Sequence, residues 1–294
     1  MFQFPIGVFN YVETGGGGAE DFTFTVDTTK AGSASDTILL PYSGGNTTYW
    51  GDGSDSTSNT HIYSSGGEYE IHIEGTVTGW KFDNGGDKLK MLDVKSWDTL
   101  TLDQNSVFYG CANMTVSATN QFTLTSNMIN MFRGCSSITS LDLSDLSVGS
   151  TIQECFRDCS SLSSLNVSGW TTTSVGSAYN AFRSCSSLTS LDFSDWDTSS
   201  FTNMSTMLGF CGSLASVTWG TFDISSVTSI SNFLVSVTLD TTDYSDLLVN
   251  FASQTVNSGL SFHGGNSKYN SAGGTARASL IADDSWSITD GGAE

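Results

Sequence analysis

The residues best equipped for chemistry are six cysteines: Cys111, Cys135, Cys155, Cys159, Cys185 and Cys211. A thiolate can act as nucleophile, redox partner or metal ligand. Cys155 and Cys159 share one face of a helical turn, yet no further Cys or His pair completes a tetrahedral zinc site. All of the cysteines except Cys155 recur at regular spacing. Stacked repeats would bring them close enough to form disulfides, or pack them as small buried thiols. The histidines, His61, His72 and His263, stand outside any constellation with a nucleophile. No G-x-S-x-G elbow is present, and no glycine run is followed by the Lys-Ser/Thr of a phosphate loop. Asp142, Asp145, Asp192, Asp195 and Asp197 could line one edge, where a calcium ion would relieve their repulsion; a solvated acidic face is the simpler alternative. The expectation is a non-enzymatic protein with no cofactor, calcium being the one ion left open.

Charge narrows the partners. Thirty acidic residues against ten basic ones give a net charge of -20. A nucleic-acid partner needs clustered Lys and Arg, so none is expected, and anionic lipid is disfavoured on the same ground. No run of about 18 apolar residues is present, so membrane insertion is not expected. The N-terminal Met1-Phe2-Gln3-Phe4-Pro5 has no basic n-region and does not read as a signal peptide. Residues 1–20 end in Gly15-Gly16-Gly17-Gly18, and the apolar stretch before this hinge is expected to anchor the chain on another subunit, or to form a loose tail.

The cysteines belong to a repeat built on Phe-x-x-Cys: Phe108 to Cys111, Phe132 to Cys135, Phe156 to Cys159 and Phe182 to Cys185, continued by Leu208 to Cys211. The intervals from Cys111 to Cys135 and from Cys135 to Cys159 are equal; those on to Cys185 and to Cys211 are each longer by two. Other columns keep phase with them. Leu141, Leu165, Leu191 and Val217 form one, Leu143, Val167, Phe193 and Trp219 a second, and polar Asp142, Asn166, Asp192 and Thr218 lie between. This period of two predicts a strand with one buried face in every coil. Coils must stack to bury it, and at ~4.8 Å per strand five coils predict a sheet roughly 25 Å long. The segment around each Phe-x-x-Cys is expected to form a short helix or 3₁₀ turn on the opposite side. Trp170 and Trp196 could serve as platforms for sugar rings, but their shared column with Leu146 and Phe222 favours interior packing. The first copy departs from the pattern, with Ser117 and Thr119 in apolar columns.

The segment from Ala181 to Ser199, AFRSCSSLTSLDFSDWDTS, resembles the consensus of the BspA-like leucine-rich-repeat family of bacterial surface proteins. That resemblance covers about half the chain. It implies a solenoid with a parallel sheet and a role in surface adhesion, with no common enzymatic activity. Trp50-Gly51-Asp52-Gly53-Ser54, followed by His61-Ile62-Tyr63 and Gly67-Glu68-Tyr69, is similar to the motif of PKD-type β-sandwiches, although Tyr49 replaces the usual Asp. Such domains act as spacers in surface proteins. Downstream, Tyr244, Leu247, Leu248 and Phe251 have helical spacing, with Asp243 as the candidate cap; a second helix is expected over Thr275 to Ala282 and a strand at Trp286-Ser287-Ile288. The C-terminal tail is similar to a module that follows such repeats in phage and environmental bacterial proteins.

These observations combine into one expectation. The chain is mainly β: an N-terminal anchor and hinge (1–20), a PKD-like β-sandwich (21–86), a BspA-like solenoid (87–236) and a small α/β C-terminal cap (237–294). The expected ligand surface is the outward strand column: Ser140, Asp142, Ser144, Asn166, Ser168, Ser190, Asp192 and Ser194. Short hydroxyl, amide and carboxylate groups on a rigid sheet can hydrogen-bond a host-surface glycan or protein. The expected setting is the surface of a bacteriophage virion, as tail fibre, host-attachment or capsid decoration protein, contacting other virion subunits through residues 1–20 and possible as a homo-oligomer. The alternatives are an extracellular or bacterial cell-surface adhesin of the BspA type, and a purely structural virion scaffold.

Overall fold

The computed structural model describes residues 21–294, so the expected anchor and hinge lie outside the described residues. The chain is mainly β. Its first part comprises β1 (Phe22–Asp27), β2 (Thr37–Leu39), β3 (Thr48–Tyr49), β4 (Asp55–Ser56), β5 (Thr60–Ile62) and β6 (Glu68–Ile73). The alternation in β1 puts Phe22, Phe24 and Val26 inward, and β6 matches it in antiparallel register, Phe24 opposite Ile71. Trp50 and Trp80 are buried beside them, with Trp80 edge-on to Phe22 and Phe24.

The coils follow: β7 (Met91–Ser96), β8 (Thr101–Leu102), β9 (Thr115–Val116), β10 (Thr123–Leu124), β11 (Ser140–Asp142), β12 (Ser164–Asn166), β13 (Ser190–Asp192) and β14 (Ser216–Thr218). One strand, β7, belongs to both regions. It pairs antiparallel with β1 and parallel with β9, giving a continuous sheet in the order β4-β3-β6-β1-β7-β9. Farther on, the expected single sheet is instead a series of short parallel pairs. β11 pairs with β12 and β13 with β14, with no ladder joining β12 to β13. The coils lengthen after Cys159, and that change falls at the break.

The opposite side of each coil also differs from expectation. It is neither α-helix nor 3₁₀-helix but a chain of turns, punctuated by residues at positive φ: Asn130 (54°), Glu154 (54°), Asn180 (53°), Thr206 (55°) and Asn232 (56°). A left-handed residue in every coil interrupts helical propagation and turns alternate N–H groups along the stacking axis. Phe132 N–H therefore donates to Cys155 O (2.8 Å), Phe156 to Ala181 O (2.8 Å) and Phe182 to Met207 O (2.9 Å). The phenyl rings stack in the same register, with centroids 5.7 Å apart for Phe108–Phe132, 5.8 Å for Phe132–Phe156 and 5.5 Å for Phe156–Phe182.

The stack ends in α1 (Thr241–Ala252), β15 (Ser261–His263), α2 (Ser271–Ala282) and β16 (Ser287–Thr289), with β15 and β16 parallel. Tyr244, Leu247, Leu248 and Phe251 are buried as their spacing predicts. Asp243 is not the helix cap. It lies inside the first turn of α1, and its carboxylate accepts from Val217 N–H (3.0 Å), an edge donor of β14. Gln254 likewise accepts from Ile224 N–H (2.7 Å) and donates to Phe222 O (2.9 Å). Side chains of the cap thus take the place of a missing next coil. α2 begins earlier than expected, at Ser271 rather than Thr275, because Asn270 caps it by accepting from the Ala272 and Gly273 N–H groups.

Candidate functional site

The six cysteines lie inside the coils. All six are free and buried. Each of four donates its thiol to the phenylalanine carbonyl of the preceding coil at 3.1 Å: Cys135 to Phe108, Cys159 to Phe132, Cys185 to Phe156 and Cys211 to Phe182. Burial pushes the Cys159 and Cys211 thiols up to about 12 and the others well above their ordinary value. Reactivity requires a thiolate, so these groups are structural. Among the described residues no group of three or more His, Cys, Asp or Glu side chains is placed to hold a metal ion. Trp170 and Trp196 are each 2% exposed and stack on one another at 5.4 Å, inside the coils.

The polar strand column is exposed, but the structure does not make it one site. A groove of about 360 Å³ opens where β9 fails to pair with β11. Its wall carries Ser140, Asp142 and Asn166, together with Ser164, and it is closed by Leu141, Trp97, Val116, Ala118 and Thr119. The expected residues Ser144, Ser168, Ser190, Asp192 and Ser194 lie outside it. Ser168 is held by Asn166 Oδ1 through both N–H (3.1 Å) and hydroxyl (2.8 Å), while Ser194 N–H donates to Asp192 Oδ1 (2.9 Å). Ser144 Oγ accepts from Gln121 Nε2 (3.2 Å), and Ser190 is paired with Ser216 in the β13–β14 ladder.

The groove has an identifiable origin. In later coils the residues six and eight after the repeat cysteine face inward and are apolar, whereas in the first copy these positions, Ser117 and Thr119, are exposed, and half-buried Val116 and Ala118 face the interior instead. Ser117 and Ala118 N–H both donate to Val94 O (3.0 and 2.9 Å), and the β7–β9 register ends at Val116. At the lip, Asn166 Nδ2 donates to Asp142 Oδ1 (2.9 Å), which also accepts from Ser144 N–H (3.1 Å). That fixes the rotamers of both side chains while leaving Asp142 Oδ2 as the acceptor at the lip; Asn166 Oδ1 is already occupied by the Ser168 N–H and hydroxyl. The Ser140 and Ser164 hydroxyls add donors above the half-buried apolar wall of Val116 and Ala118. A sugar ring or a short peptide offers matching chemistry: hydroxyl or amide donors on one edge and an apolar face on the other. The irregularity at Ser117 and Thr119 was visible in the sequence; Trp97 and Ser164 were not assigned to the site, although Ser164 stands opposite Ser140 in the β11–β12 ladder and shares the outward alternation of Asn166.

A second polar feature was missed altogether. Asp87 and Lys90, buried at 2% and 0% exposure, stand one repeat before Cys111 and Met114. Lys90 N–H closes a turn on Asp87 O (2.8 Å), as Met114 N–H does on Cys111 O (3.1 Å). The Asp87 carboxylate accepts from Ser33 N–H (2.6 Å), Ser33 Oγ (2.7 Å) and Leu39 N–H (2.7 Å). Lys90 Nζ donates to the carbonyls of Ala34 (2.9 Å) and Thr37 (2.7 Å). This buried pair clamps the β1–β2 loop of the N-terminal sheet onto the first coil, and desolvation lowers the Lys90 ammonium from its usual range.

Residues 126–247 match the family described as a Mycoplasma protein of unknown function, DUF285. The match covers the regular coils and the start of the cap and supports similarity to BspA-like repeat proteins. No curated protein and no solved structure matches the chain.

Proposed function

We propose that the chain is a non-enzymatic surface-binding protein: a leucine-rich-repeat solenoid of the BspA type, carried by a PKD-like β-sandwich and displayed on a bacteriophage virion. It binds a host-surface glycan or protein. The observation that carries this reading is the groove at the β9–β11 break, where Ser140, Asp142, Ser164 and Asn166 present fixed polar atoms beside an apolar wall. The His61–Asp52 contact (2.8 Å) and the stacking of His61 on Trp50 (4.9 Å) support the PKD-like assignment, since the motif residues meet in space. The coil-to-coil hydrogen bonds and thiol–carbonyl contacts support the solenoid. The similarity to a Mycoplasma family favours a second reading, a bacterial cell-surface adhesin. Either way, Asn166→Trp fills the groove from an exposed position. Fluorescently labelled chain should bind candidate host cells saturably, and Asn166→Trp should reduce that binding at least tenfold with an unchanged melting temperature. Undiminished binding would remove the groove from the function; abundance in purified virions without any cell binding would make the chain a scaffold.

A further inference from the structure

The chain holds four arginines, and three of them, Arg133, Arg157 and Arg183, occupy one column on the turn face of successive coils. Aromatic rings bracket the column. The Arg133 guanidinium lies over Tyr109 at 4.8 Å and that of Arg183 over Phe210 at 5.1 Å. Arg133 and Arg157 share the carboxylate of Glu154, and Arg157 also approaches Asp158 at 3.3 Å. Arg183 has no carboxylate partner among the described residues, and its Nε is buried without an acceptor. On a chain of net charge -20, an arginine left unpaired is unexpected.

Phe210 provides an independent observation. It is 41% exposed, and its φ is +64°. The matching positions in other coils are Gly110, Gly134, Asp158, Ser184 and Ser236, all at positive φ. A bulky side chain is unfavourable in that conformation, and an exposed phenyl gains nothing from the core in compensation. Together, an unpaired guanidinium and a strained, exposed ring in contact with it offer a carboxylate fork beside an apolar platform.

We infer that the turn face around Arg183 and Phe210 is a second binding surface, opposite the strand groove, for a sparsely charged acidic glycan whose carboxylate pairs with Arg183 while a sugar face rests on Phe210. The guanidinium fork matches a carboxylate bidentately. The overall negative charge repels a long polyanion, and Glu154 and Asp158 neutralise much of the column, so only an isolated carboxylate meets a net attraction.

The test is binding of the full chain to a panel of neutral, uronate-bearing and sialylated oligosaccharides, with a hexaglutamate peptide as control. Carboxylated glycans should bind at least tenfold more tightly than their neutral counterparts or the peptide. Arg183→Gln and Phe210→Gly should each abolish that preference. Phe210→Gly should do so without lowering the melting temperature, since glycine is the residue of two other coils at this position. The groove variant Asn166→Trp should leave it intact. The proposal is overturned if carboxylated glycans bind no better than neutral ones, if the peptide binds equally well, or if both variants retain the preference.

Discussion

On the turn side of the coils, hydrogen bonds run from each coil to the next, phenyl rings stack at under 6 Å, and every repeat-phase thiol from Cys135 onward finds a carbonyl. On the strand side, the ladder comes in pairs, interrupted before β11 and again after β12. The two sides share the same repeat, so the sequence period alone does not make them equal. Continuity on the turn side depends on backbone groups and small columns that tolerate the lengthening of the later coils. Ladder pairing on the strand side depends on straight edges in register, and any local detour breaks it. The molecule is therefore held together on one side and opened to solvent on the other, with polar side chains grouped at the opening.

Raising the pH should break the turn side first. The folded state holds the Cys159 and Cys211 thiols protonated up to about 12, whereas an unfolded thiol ionises near its ordinary 9. The unfolded chain therefore binds fewer protons in that window, and stability present below pH 9 is lost as the pH climbs toward 12. The loss is on the order of a few kcal/mol per thiol. Urea unfolding at stepped pH should show the decline, and it should be smaller in Cys159→Ala. A comparable loss is expected from Phe156→Ala, which removes the ring between Phe132 and Phe182 and should cost about 3–5 kcal/mol in denaturant unfolding.

At the junction, Asp87→Ala leaves Lys90 buried without its countercharge and should cost about 3–5 kcal/mol. Melting monitored separately by Trp50 and Trp170 environments would show whether the N-terminal sheet then unfolds before the coils. Smaller still, Cys185→Ala deletes one thiol–carbonyl contact and should cost about 1 kcal/mol. Last, Asp192→Ala on the exposed strand face should change stability by no more than about 0.5 kcal/mol. A large loss there would erase the distinction between the two sides.

Much of the fold was legible in the residues. The phase of the Phe-x-x-Cys repeat placed the buried columns, the spacing of Tyr244, Leu247, Leu248 and Phe251 placed α1, and the shared column of Trp170 and Trp196 put both indoles in the interior. Those features are periodic, and burial of one apolar face follows from period alone. Of the candidate site, Ser140, Asp142 and Asn166 were found because they alternate with core residues. What only the tertiary structure decided depends on partners distant in sequence. β7 pairs with both β1 and β9, an arrangement that no local pattern encodes. Asp87 and Lys90 are tolerable inside because loop residues 33–39 supply their hydrogen bonds, so polar residues stand in inward positions that a hydrophobic pattern skips. Asn130 and its equivalents convert an expected helix into turns because the coil below offers acceptors to the N–H groups they redirect. The groove lies where β9 and β11 do not pair: its residues were written in the chain, but their meeting place was set by a ladder that failed to form.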